Sequence, residues 1–208
     1  MRDNATENLM MPRFPADIAE RAGRLCERLS ARNLRIITAE SCTGGLLAAC
    51  LSEPSGSARF LVGSFVTYRP SLKMAALGVS ADLIAARTAY DPDVARQMAS
   101  GALEAAPEAD LALAITGVAG PGPDQGKPAG LVYIAAGLRG GVPVVRQCSF
   151  EGAPQAVIAD AMRTALEMGV DAIDDSRAHR HDGSGCRRGG IGRRSGLKIR
   201  RPQGLAGS

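Results

Sequence analysis

The chain has 208 residues, 45% of them hydrophobic and 22% charged, with 25 Gly and 12 Pro, the profile of a globular chain of one domain, at most two. No apolar run approaches the ~18 residues of a membrane helix, and residues 1–13 lack the apolar stretch of a secretory leader, so the expected location is cytoplasmic with no membrane partner. The formal net charge of +4 is uneven: from Asp174 onward nine basic residues face three acids, which leaves residues 1–173 with 16 basic and 18 acidic, a net of −2. Nucleic-acid binding by the body of the chain therefore has no electrostatic basis.

Residues 1–14 read as an N-terminal extension. Pro15 opens a helix whose Ile18, Leu25, Cys26 and Leu29 share one face. An apolar strand follows at 34–39, and Gly44-Gly45 lead into a helix at 46–51. A strand at 60–68 precedes helices near 81–87 and 92–106, then a strand at 110–116. Two strands near 130–138 and 142–150, parted by Arg139-Gly140-Gly141, read as a hairpin. A helix at 154–169 closes the domain, which spans 15–173. Helices alternating with strands and ending in a hairpin predict a layered α/β domain with a mixed sheet. Residues 174–208, rich in Gly, Ser and Arg, are expected to be a disordered, solvated tail; a weak nucleic-acid arm is the alternative, and no nucleic-acid contact is expected of it.

The five cysteines (Cys26, Cys42, Cys50, Cys148, Cys186) contain no C-x-x-C pair, so neither a disulfide framework nor a zinc site is expected. Both histidines, His179 and His181, fall in the tail, which removes Ser-His-Asp and Cys-His catalysis from the domain. Proton transfer is left to Lys, Tyr or a carboxylate. Only two lysines, Lys73 and Lys127, precede the tail, in a chain that otherwise takes its positive charge from arginine.

Three segments could carry chemistry. Thr38-Ala39-Glu40-Ser41-Cys42-Thr43-Gly44-Gly45 joins a strand end to a helix start, where a ligand or oxyanion can meet backbone N–H groups. Ser41 there serves either as a nucleophile or, with Thr43, as a helix cap; Ala39 and Thr43 replace the glycines of a G-x-S-x-G elbow. Phe65-Val66-Thr67-Tyr68-Arg69-Pro70-Ser71-Leu72-Lys73 ends a strand in Tyr and places Lys73 in the next turn, as a surface lysine or as a base toward a hydroxyl. Ile115-Thr116-Gly117-Val118-Ala119-Gly120-Pro121-Gly122-Pro123-Asp124-Gln125-Gly126-Lys127-Pro128 is a loop after an apolar strand, either a rigid turn or a ligand loop. It is not a Walker A loop, because Pro121 occupies the first glycine position and Pro128 replaces the magnesium-binding hydroxyl residue.

Taken together in unbroken order over about residues 15–170, these segments resemble the CinA C-terminal domain family, the nicotinamide-nucleotide amidases. The resemblance implies a three-layer α/β/α sandwich around a mixed, mostly parallel sheet. It implies hydrolysis of the nicotinamide mononucleotide carboxamide to nicotinate mononucleotide and ammonia, without metal or cofactor, by a stand-alone domain in a dimer or larger homo-oligomer. The family's serine nucleophile matches Ser41, its lysine Lys73, its tyrosine Tyr68 and its threonine Thr116. Lys73, directly or through Tyr68, would take the Ser41 proton, and amides near Thr43 and Gly44 would receive the oxyanion. Glu40, Cys42, Thr43, Gly44, Gly45, Gly117 and Gly120 are expected to contact substrate. The chain departs from the family at three places: Gly152-Ala153-Pro154 replaces a Gly-Asp-Arg-like stretch, Arg69-Pro70 replaces Ser-Asn, and Arg87-Thr88-Ala89-Tyr90-Asp91 replaces His-Gly-Ala-Val-Ser. Arg69 is the candidate for the positive charge lost at the first. A diverged homologue that keeps the pocket for another small nucleotide-like ligand is the alternative.

Overall fold

A computed structural model describes residues 14–181, with side chains as far as Ser176. Pro15 leads into α1 (Ala16–Arg32), which ends at Asn33; there a left-handed φ of 51° lets the Asn33 N–H reach Leu29 O and Ser30 O. Between these ends Ile18, Ala22, Leu25, Cys26 and Leu29 recur every three or four residues and are buried. Then come β1 (Ile36–Glu40), α2 (Leu46–Ser52), a 3-10 turn (Ser57–Arg59) and β2 (Leu61–Val66). These are followed by α3 (Pro70–Leu77), α4 (Ala81–Arg87), α5 (Pro92–Ala105), β3 (Leu111–Gly117), β4 (Leu131–Leu138), β5 (Val144–Ser149) and α6 (Pro154–His181).

The sheet order is β2-β1-β3-β4-β5. β1 pairs in parallel with β2 and β3, whereas β3 with β4 and β4 with β5 are antiparallel. β4 alone thus runs against the other four strands. Side-chain alternation along β3 divides the core: Leu111, Leu113 and Ile115 join the cluster under α1, α2 and α6, while Ala112 and Ala114 join that under α3 and α5. Helices cover both faces of a mixed sheet, giving three layers. The second cluster is built from small residues: Ala95, Ala99 and Ala102 of α5 share it with Ala112, Ala114 and Ala135 of the sheet, which lets α5 lie close to β3 and β4.

Three expectations need correction. Phe14, assigned by sequence to the extension, packs against the α1 and α6 core. Residues 70–77, read as a turn, form helix α3, with Pro70 in its first turn. The closing helix does not stop at 169 but runs to His181, so both histidines fall on its last turn and the expected tail begins no earlier than 182. The extension has a cause in packing: Ile173 is buried, and Arg32 of α1 donates to its carbonyl and, at 3.2 Å, to Asp174. Residues 1–13 and 182–208 lie outside the described residues. No helix among those described is long and apolar enough to cross a membrane.

Candidate active site

The three neighbouring parallel strands deliver their carboxyl ends to one edge of the sheet, where open α/β folds place ligands. β1 hands over to Ser41, β2 leads through Thr67 to Tyr68, and β3 runs into the 117–124 loop. The Thr67 N–H donates to Glu40 O at 2.7 Å, prolonging the pairing of β1 and β2 by one residue. Its own carbonyl accepts from Lys73 Nζ at 2.5 Å.

Lys73 sits on the inward side of α3, one turn before Leu77, with none of its surface exposed. Its Nζ lies 2.8 Å from Ser41 Oγ. Burial strips water from the ammonium and pulls the pKa from the ordinary 10.5 down to about 8, against a weaker opposing influence from Cys42. Among the described residues no carboxylate forms an ion pair with it. In the neutral amine one N–H donates to Thr67 O, which leaves the lone pair to accept the Ser41 hydroxyl proton. The path from serine to lysine is direct and leaves no relay for Tyr68, which stands 68% exposed at the cavity mouth.

The turn that carries Ser41 is built on Glu40. This fully buried carboxylate accepts from the N–H groups of Gly45 (3.0 Å), Leu47 (3.1 Å) and Ala48 (2.8 Å) and from the hydroxyls of Thr38 (3.1 Å), Thr43 (2.7 Å) and Ser64 (3.3 Å). It compensates the positive end of α2 without lying on it. Glu40 and Thr43, expected to contact substrate, have their side-chain polar atoms committed to each other and, for Glu40, to the helix start. Gly44 (φ 60°) and Gly45 (φ 100°) adopt left-handed conformations that make the turn possible. The Gly44 N–H, expected at the oxyanion, donates to Ser41 O at 3.0 Å, and that of Leu46 to Thr43 O at 3.0 Å. Among the amides from Cys42 to Ala48, those of Cys42 and Thr43 alone have no oxygen acceptor among the described residues.

A cavity of about 300 Å³ opens over Ser41, lined by Cys42, Tyr68, Tyr90 and the 117–124 loop. Cys42 is no rival nucleophile, because burial pushes its thiol up to about 11 and keeps it protonated near neutrality. Gly117 and Gly120 line the cavity as expected; a Cβ on Gly117 would stand 2.5 Å from Leu131 O, so glycine is also what lets β4 approach. Thr116 is not among the lining residues: its hydroxyl donates to Ala89 O at 2.9 Å and ties the segment before α5 to β3. Arg69 is exposed, outside the lining, and its carbonyl accepts from Leu72 and Lys73 at the start of α3. No group of three or more His, Cys, Asp or Glu is placed to hold a metal among the described residues.

Three contributors escaped the sequence reading. Thr67 acts through its carbonyl, which no side-chain pattern reports. Tyr90 and Asp124 meet across the cavity, the Tyr90 hydroxyl donating to Asp124 Oδ2; burial, then this carboxylate, raises the Tyr90 pKa. Their separation of 34 residues hides the pair in the sequence.

Comparison with known proteins fits this architecture. The CinA C-terminal domain family model matches residues 18–173. Protein YdeJ of Escherichia coli is 41% identical over 143 residues, covering 68% of this chain and 82% of that protein. A CinA-like protein of Mycolicibacterium vanbaalenii is 42% identical over 161 residues, covering 73% of this chain and 37% of that protein. The chain spans about a third of the length of several other curated relatives it matches. Among solved structures, the competence/damage inducible protein CihA from Agrobacterium tumefaciens superposes with a TM-score of 0.74 at 38% identity, covering 79% of this chain and 99% of that one. A CinA superfamily protein from Klebsiella pneumoniae gives 0.73 at 36% identity, covering 76% and 98%. With a family model matched across nearly the whole described domain, this chain belongs to the CinA C-terminal domain family.

Proposed function

We propose that the chain is an amide hydrolase that deamidates nicotinamide mononucleotide to nicotinate mononucleotide and ammonia, with Ser41 as nucleophile and Lys73 as base. The observation that carries the reading is the 2.8 Å approach of a buried lysine nitrogen, free of any carboxylate partner among the described residues, to a serine hydroxyl at the end of the cavity. Neutral Lys73 takes the Ser41 proton as the serine oxygen bonds to the amide carbon. The oxyanion is received by the N–H groups of Cys42 and Thr43, the two amides of the turn that have no oxygen acceptor among the described residues and meet only the Cys42 thiol. The Lys73 ammonium returns its proton to the departing nitrogen as the C–N bond breaks, and ammonia leaves. Water then attacks the ester, giving its proton to Lys73, and the carboxylate product departs as Ser41 is regenerated.

A second reading has one observation in its favour. Among the described residues the cavity lining contains neither lysine nor arginine, and its only charged side chain is Asp124, so a nucleotide-like amide without phosphate also suits it. One assay addresses both: ammonia release from the mononucleotide by the wild-type chain and by Ser41→Ala. The expected result is turnover by the wild type, none by the variant, and an acyl adduct on Ser41 by intact mass when the reaction is quenched early. Substantial turnover by Ser41→Ala would overturn the covalent scheme.

A further inference from the structure

Asp124 lines the cavity without being part of the proton-transfer machinery. It lies at the tip of the loop after β3, where Asp124 and Lys127 pair through their backbones: the Asp124 N–H donates to Lys127 O at 3.0 Å and the Lys127 N–H to Asp124 O at 2.8 Å. Gln125 (φ 47°) and Gly126 (φ 73°) make the tight turn between them. The backbone pair fixes where the carboxyl group starts, and the Tyr90 hydroxyl fixes one of its oxygens, Oδ2. Oδ1 has no partner among the described residues. An oriented carboxylate with one open oxygen, beside two aromatic rings (Tyr68 and Tyr90) and no cation in the lining, fits a ligand that is rich in hydroxyl donors. A carboxylate accepts from neighbouring sugar hydroxyls with good geometry, as the acidic residue of dinucleotide-binding folds does with ribose. An unscreened phosphate in the same place would be repelled.

We infer that Asp124, oriented by Tyr90, anchors the hydroxyl groups of the sugar attached to the pyridinium carboxamide, and so selects ribosylated amides over amides without a sugar. This inference rests on the amidase reading for the identity of the reacting group, but it concerns the other end of the ligand. It makes Asp124 a specificity residue and Tyr90 the positioning residue behind it.

The test is calorimetric binding to Ser41→Ala protein, which on the proposed mechanism cannot turn over, using nicotinamide riboside and 1-methylnicotinamide, methylated on the ring nitrogen. The two share the pyridinium charge and the carboxamide but only the first carries hydroxyls. The riboside is expected to bind more tightly, and Asp124→Asn, which keeps an acceptor for Tyr90 but loses the charge, should reduce the ratio of the two affinities roughly tenfold or more. Tyr90→Phe should reduce the ratio in the same direction by less. Equal weakening of both ligands by Asp124→Asn would assign Asp124 to charge attraction or loop shape and overturn the proposal, as would failure of the riboside to bind. Hydroxyl-dependent binding without ammonia release by the wild-type chain would overturn the amidase reading and leave the anchor standing.

Discussion

Lys73 sets the cost of the site as well as its chemistry. A buried ammonium without a counter-charge is unfavourable, and the fold answers by lowering its pKa to about 8. In the unfolded chain the value is near 10.5. Between those values the unfolded chain holds more protons than the folded one, so stability rises with pH across this window. Below pH 8 both states are charged and the whole penalty, about 3 kcal/mol, is present. Lys73→Met fills nearly the same space without charge. It should raise the melting temperature at pH 7 by several degrees while abolishing ammonia release; a lower melting temperature would refute the account of a strained lysine. For the proposed amide hydrolysis by the wild-type chain, kcat/KM should climb tenfold per pH unit below about 8 and level off above it, because only the neutral amine accepts the serine proton. A profile flat from pH 6 to 9 would exclude Lys73 as the base.

Whether Lys73 reaches Ser41 depends on how α3 lies on α5. The two helices meet at Gly101, where a Cβ would stand 1.9 Å from Leu77 O, a backbone atom that cannot rotate away. Gly101→Ala must therefore push the C-terminal end of α3 outward, and Lys73 is one turn from that end. The expected outcome is a loss of stability of about 1–3 kcal/mol together with a fall in kcat larger than any change in KM; retention of full kcat would mean that α3 can shift without carrying Lys73. Sequence reading could not have supplied this contact, because α3 itself was invisible. Pro70 reads as a turn residue, the helix has only eight residues, and the position that should mark its buried face is occupied by a lysine. The strands were legible because Leu111, Leu113 and Ile115 alternate with alanines in a way only a two-faced strand explains. The Ser41 turn was legible as a motif, yet its internal wiring was not. Glu40 looks like a substrate ligand in the sequence, and only the geometry of three helix amides and three hydroxyls around it shows a structural anion.

At the scale of the whole molecule, α1 and α6 close the face of the sheet opposite Lys73, and their seam is laced with ion pairs. Arg21 meets Glu167, Arg163 meets Asp17 at 2.5 Å, and Arg28 and Arg32 share Asp174 at 3.4 and 3.2 Å. Singly such exposed pairs contribute little, but Arg32 also donates to Ile173 O and Ser176 Oγ, so the last turns of α6 fasten the end of α1. The charge partition follows the same boundary. Residues 182–208 hold seven basic residues and one acid, a net of +6, against −2 for residues 1–181. A chain ending at 181 should keep the melting temperature and ammonia release of the full chain, because the buried apolar core among the described residues ends at Ile173 and its Arg32 clamp ends at Ser176. A chain ending at 173 leaves Ile173 at a fraying terminus and deprives Arg28 and Arg32 of Asp174, and its melting temperature should fall by several degrees. If both truncations melted alike, α6 beyond Ile173 would be shown to contribute nothing to the fold. If the longer one melted lower than the full chain, the basic segment would have to contribute to the folded state rather than to the charge alone.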